Sequence, residues 1–225
     1  MNIDIKDILL IVIALLNFIL GIILIRKNSQ SPINLSFATL VFAVGLWSFG
    51  LAMFNTTLNM EVAAAWARMY YFASAIIIFS FAVFSVYYIY PLFILNKVKF
   101  IYLLLPLFII TFIIFHPTLL IENASHYDWG NDANEKLIGH VAYAFYFFGY
   151  LALAYSILFK KLKKSEGVNY LNLRSFLWVI SIGFLFGVLF DLILPLLGIY
   201  KYVWVEPYFS LIYIVYLIWL IFYKK

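Results

Sequence analysis

Long apolar stretches separated by short polar breaks dominate this chain. The stretches cover about 8–26, 33–54, 61–90, 100–116, 139–160, 171–197 and 203–223. Most are long enough, at 1.5 Å per residue, for a helix that crosses a hydrocarbon layer ~30 Å thick. In lipid, only helices and closed barrels satisfy every backbone polar group. The breaks carry matching signals. Arg26-Lys27 and the Ser29–Pro32 turn separate the first two stretches, and Asn55–Asn59 separates the next pair. Glu61 opens the third stretch, where an acid suits a helix N-terminus. Pro106 predicts a kink in the fourth, and His116-Pro117 ends it. The one long loop, 118–136, holds Trp129-Gly130-Asn131-Asp132, a tight-turn signal for a small hairpin. The pattern predicts an all-α membrane protein: one domain over 1–225, a seven-transmembrane helix bundle.

Composition narrows this picture. The chain is 67% hydrophobic and 11% charged, with a mean hydropathy of +1.04. Seven spans leave almost no length for a soluble kinase or cyclase domain. The acidic segment Asn2–Asp7 lacks the basic start and small-residue cleavage site of a signal peptide, so the first stretch is expected to remain as a span. Zero Cys excludes disulfides, thiol catalysis and Cys-ligated metal. Charge sets the orientation. With the N-terminus outside and the C-terminus cytoplasmic, eleven of the fifteen Lys and Arg residues fall on inner loops and span ends, against Lys6, Lys136 and Lys201 outside. The net charge of +5 is therefore a topology signal, and no nucleic-acid partner is expected. The location implied is the inner or plasma membrane, multi-pass. Lys160–Lys164 is expected to meet lipid headgroups.

Span six carries the most informative face. Gly183, Gly187, Asp191 and Pro195 recur every four residues, which places them on one stripe. Small residues at that spacing allow close helix approach in a membrane. Asp191 on the same stripe would cost about 2.5–3.5 kcal/mol against lipid at mid-bilayer, so the stripe should face inward. Arg68 in span three lies at nearly the same depth, roughly 10 Å below the outer surface against roughly 9 Å for Asp191. The two are expected to pair, with Glu206 or tyrosines completing a polar network. That network is either an interhelical clasp or the floor of an outward-facing ligand pocket, unless Arg68 snorkels to the headgroups. Tyr143, Tyr146, Phe147 and Tyr150 share one face of span five and form either bundle core or a pocket wall. Trp47, Trp66 and Trp204 fall near the outer interface as belt anchors, with Trp66 also a member of the candidate site. His116, His126 and His140 lack metal-ligand spacing, so neither a metal nor a cofactor is expected. Span seven has no Lys between Val203 and Tyr223 for a retinal Schiff base, and no hydrolase or P-loop motif appears.

Three stretches resemble the N-terminal seven-transmembrane sensor region of bacterial histidine kinases, a region also found ahead of diguanylate cyclases. They are Asn34-Leu-Ser-Phe with Trp47-Ser-Phe-Gly-Leu-Ala-Met; Ala65-Trp66-Ala-Arg68-Met-Tyr70-Tyr71 running on to Tyr87-Tyr88; and Asp191-Leu-Ile-Leu-Pro195-Leu-Leu-Gly198 with Glu206-Pro207-Tyr-Phe-Ser210. The likeness spans about Asp7–Phe222. It implies a non-enzymatic receptor that takes a small molecule or lipid from the outer side and passes a conformational signal to a cytoplasmic kinase or cyclase. Because the chain stops two residues after span seven, that output is expected on a separate chain, or else this is a truncated sensor. Membrane lipids and a second copy of the chain complete the expected partners. The rival readings are a small transporter or channel, which needs a polar track across the whole membrane, and a structural subunit of a larger complex.

Overall fold

A computed structural model describes residues 4–89, 97–128, 130–199 and 201–222. Seven helices among them are long and apolar enough to cross a membrane. They are α1 (Ile5–Lys27), α2 (Pro32–Thr56), α3 (Met60–Ile89), α4 (Lys97–Phe115), α5 (Leu137–Leu162), α6 (Gly167–Leu196) and α7 (Glu206–Phe222). Strands β1 (Ile121–Tyr127) and β2 (Gly130–Glu135) form an antiparallel hairpin between α4 and α5. The expected tight turn is there, with Gly130 at φ +136°. Trp129 of that turn, the expected span ends Tyr90 and Tyr223, and Lys224-Lys225 lie outside the described residues. Helix six starts at Gly167, four residues before the expected Leu171.

Local chemistry fixes the helix starts. Asp4 caps α1 in a reciprocal capping box with Asp7. The Ser31 hydroxyl accepts from the Asn34 N–H, ahead of Pro32 at the first helical position. Asn59 Oδ1 accepts from the Glu61 and Val62 N–H groups at the start of α3 (3.0 and 3.2 Å).

Helix α2 sits at the centre, with α1 and α3 packed along it. The fit depends on glycines. A Cβ at Gly45 would lie 2.8 Å from the Phe18 ring and 3.1 Å from the Ala14 carbonyl oxygen. One at Gly21 would lie 2.8 Å from Phe42. Opposite Gly50 stands Tyr70, and Ala63, Ala64, Ala67, Ala73 and Ala75 keep α3 narrow. Helices α4 and α6 sit more loosely. In α2, 72% of the most apolar window is buried, against 22% in α6 and 11% in α4. The expectation that the glycine stripe of α6 draws other helices in holds only in part. Gly183 does face a neighbour, since its Cβ would lie 3.0 Å from the Tyr213 ring, but a Cβ at Gly187 would meet nothing within 4 Å.

The hairpin closes one end of the bundle. Asn131, 2% exposed, donates from Nδ2 to the Phe54 and Thr57 carbonyls at the end of α2 (2.5 and 2.7 Å). Those carbonyls are among the groups a helix C-terminus leaves unpaired. Gly139 lets the loop before β1 lie directly on α5, because a Cβ there would collide with the Leu119 carbonyl oxygen.

Candidate functional site

Pro195 shapes the far end of α6. It has no N–H for the Asp191 carbonyl, and its ring crowds that carbonyl. The preceding turns widen into a π-helix over Val188–Ile193. The helix then stops in a Schellman arrangement. Ile199 N–H donates to Leu194 O, Gly198 N–H donates to Pro195 O, and Gly198 takes φ +75°. Asp191 therefore sits on a widened turn one step before a fixed stop.

A cavity of about 50 Å³ opens beside it. Trp47 comes from α2, Ser74 from α3, Tyr143 and Phe147 from α5, Gly183, Gly187 and Asp191 from α6, and Glu206 and Tyr213 from α7. Glu206 is the first residue of α7 and is buried. Its Oε1 accepts from the Tyr213 hydroxyl at 2.8 Å, while its Oε2 has no partner among the described residues. Asp191 Oδ1 is likewise buried and unpartnered. The bare Cα of Gly187 leaves the space open.

Two smaller cavities continue toward the hairpin end. The first shares Trp47, Ser74, Tyr143 and Asp191 with the main cavity and adds Tyr70, Tyr71 and Val203. The second shares Tyr70 and Val203 with the first and reaches Lys6, Asn55 and Lys201. Their linings overlap in series between the hairpin end and the carboxylates. Beyond the main cavity the bundle closes in aromatic rings. Phe81 packs on Phe184 at 4.9 Å between centroids, Phe84 on Phe176 at 5.8 Å and Tyr88 on Phe176 at 5.5 Å.

The ion pair expected between Arg68 and Asp191 is not formed. Arg68 Nη2 donates instead to the carbonyls of Ile121 (2.8 Å) and Pro117 (3.4 Å). The chain leaves α4 just before Pro117, so its next carbonyls lack helical partners and one guanidinium nitrogen donates to both. Arg68 ties the hairpin to α3, and Asp191 faces Glu206 across the cavity rather than a cation. Trp66 packs edge-on against Phe49, away from the cavity. Tyr143 and Phe147 line the cavity, whereas the other two tyrosines of that face bridge helices. Tyr146 donates to Ala75 O on α3 at 2.9 Å, and Tyr150 donates to Leu103 O on α4.

A second buried polar group lies beside the cavity and has no signature in the sequence. Glu135, the last residue of β2, accepts from the Tyr71 hydroxyl through Oε1 and lies 2.5 Å from His140 Nδ1 through Oε2. The Glu135 and His140 side chains are each 5% exposed. The Leu192 carbonyl, in the π-helix of α6, lies beside the same imidazole. This cluster joins the hairpin, α3, α5 and α6 next to the Asp191 turn. No spacing rule marks it, because its members sit on a loop and two helices. Asp7 is also buried, with Asn55 Nδ2 donating to it at 3.3 Å. Outside the spans, the Asp132 carboxyl on β2 is pushed up to about 6, by burial first and by the Glu135 charge second.

No curated protein and no solved structure matches the chain. A family model described as the N-terminal 7TM region of histidine kinase matches residues 9–225. That match covers every helix that builds the cavity, and with seven spans in place the chain belongs to the family of N-terminal seven-transmembrane regions of histidine kinases, a multi-pass membrane sensory module.

Proposed function

We propose that this chain is a receptor that binds a small molecule in the Asp191–Glu206 cavity, entered from the outer face of the cell membrane. The family supports the sensory role. The observation that carries the ligand reading is the cavity itself: two buried carboxyl groups with unpartnered oxygens, at the end of a row of voids that starts at the hairpin end. The excess of Lys and Arg at the opposite end supports assigning the hairpin end to the outside. The packing of Phe81, Phe84, Tyr88, Phe176 and Phe184 below the cavity favours a receptor over a transporter or channel, because aromatic rings stand where a polar track would have to pass.

A bound ligand favours whichever helix packing gives it better contacts, and that difference in affinity is the signal. Helix α6 is the element that responds. It packs loosely, carries a π-turn at the site, and stacks Phe184 on Phe81 of α3. A shift of α6 therefore reaches the inner loops around Lys160–Lys164, where a cytoplasmic kinase or cyclase would read it. The chain itself does no chemistry in this account. A thermal-shift screen of small molecules on the purified protein tests it. Hits are expected to lose their effect in Asp191→Asn and Glu206→Gln. Hits that act equally on all three proteins would place binding elsewhere.

A further inference from the structure

The charge of the ligand can be argued from what surrounds the cavity. Two carboxyl groups face it, and among its lining residues there is no Lys, Arg or His. Glu206 is 3% exposed and its Oε2 is unpartnered, as is the buried Asp191 Oδ1. An anionic guest would meet two acids, with only hydroxyl groups and the Trp47 indole N–H as donors. A neutral apolar guest would leave both carboxyl oxygens unsatisfied in a dry site, which costs affinity. An ammonium group supplies three N–H donors and removes the cost of a buried unpaired charge. The rings of Trp47, Tyr143 and Tyr213 also line the cavity, and an aromatic face turned to an ammonium group attracts it further.

We propose that the ligand of this cavity is a small protonated amine with a short apolar body, its ammonium bridging Asp191 and Glu206. This rests on the pocket reading above. The apolar body lies against Phe147, Phe184 and the open face of Gly187. Size gives the signal its direction. The cavity of about 50 Å³ compares with the ~10–15 Å³ that one enclosed water needs, so it holds a few waters or a very small amine. A larger amine must part α6 from α7 where Gly183 touches the Tyr213 ring. Binding then stabilises a wider α6–α7 packing.

The test uses the full chain purified in detergent and followed by thermal unfolding. The probes are isobutylamine and phenethylamine, the matched alcohols isobutanol and 2-phenylethanol, and the anions isobutyrate and phenylacetate. At least one amine is expected to raise Tm by about 3–6 °C at ten times its Kd. Asp191→Asn and Glu206→Gln should each remove that rise, and Glu122→Gln, an exposed acid on the hairpin, should leave it intact. An equal rise with the alcohols, or an amine effect that survives both substitutions, overturns the proposal. If an alcohol or anion stabilises wild type and Gly187→Phe abolishes that, the amine inference fails while the pocket reading stands. A rise on exchanging potassium for sodium chloride that needs Asp191, without an amine effect, assigns the site to a metal ion and also overturns it. If no probe acts, the amine inference fails, and the accessibility of the cavity then decides the pocket reading separately.

Discussion

Helices α2 and α6 both carry glycines on an inward face, yet Gly187 of α6 stands apart from the others. On α2, Gly45 and Gly50 sit against Phe18 and Tyr70, and the helix is largely enclosed. On α6, Gly187 borders empty space and most of the helix is open to its surroundings. The same residue type therefore serves close packing in one place and a cavity in the other. Helices α1–α3 with the hairpin form a closely packed frame, and α6 is a less enclosed wall against it. The proposed receptor uses both: the frame would hold one side of the site, and the wall would take the position a ligand favours.

The sharpest way to break the comparison is to force the frame apart. Gly139→Ala places a Cβ against the Leu119 backbone, which cannot move aside as a side chain could. It should cost about 3 kcal/mol and lower Tm by roughly 6–12 °C in thermal unfolding of the purified chain. Next comes the tie between α3 and the hairpin. Arg68→Ala removes a charged donor from two carbonyls and should cost about 2 kcal/mol. Because Arg68 and Asp191 do not touch, a double-mutant cycle with Asp191→Asn should give a coupling below about 0.5 kcal/mol. A coupling of several times that would restore the ion pair expected from sequence.

Two identical substitutions then set the helices side by side. Gly45→Ala should destabilise by about 1–2 kcal/mol, since its Cβ must displace Phe18 and crowds the Ala14 carbonyl. Gly187→Ala should be neutral or stabilising by up to ~1 kcal/mol, because it gains helix propensity and meets no neighbour. Equal losses at both positions would remove the distinction between frame and wall.

The smallest effect belongs to the hairpin acid. Folded Asp132 holds its proton up to about 6, well above the ordinary carboxylate value. Between about pH 4 and that point the folded state binds more protons than the unfolded one, so stability falls as pH rises. The group is half-exposed, and solvent screening reduces the effect to about 1 kcal/mol or less. Asp132→Asn should flatten that slope in unfolding measured across the same pH range.

Spans and loops were legible because hydrophobic runs and breakers act locally. The hairpin too could be read from Gly130 and its neighbours. Partner choice could not. Arg68 and Asp191 match in depth, but depth says nothing about rotation about each helix axis. The carbonyls that take Arg68 were invisible because backbone acceptors carry no sequence signature. Glu135 looked like one more loop acid, since only the fold buries it beside Tyr71 and His140. Tyr143 and Tyr146 share a helical face, yet three residues of rotation separate the cavity from the α3 backbone.

The absence of native cysteine makes one measurement direct. Gly187→Cys places a thiol at the cavity, and Ser48→Cys places one on α2 at a position with 0% exposure. Aminoethyl methanethiosulfonate is added to the outside of intact cells, and the rate of modification is read by mass spectrometry. The Gly187→Cys thiol should react roughly tenfold faster or more, because a fully packed thiol reacts only through local opening. Equal rates at the two positions, or no reaction at Gly187→Cys from outside, would contradict an outward-reached cavity between a closely packed frame and a less enclosed wall.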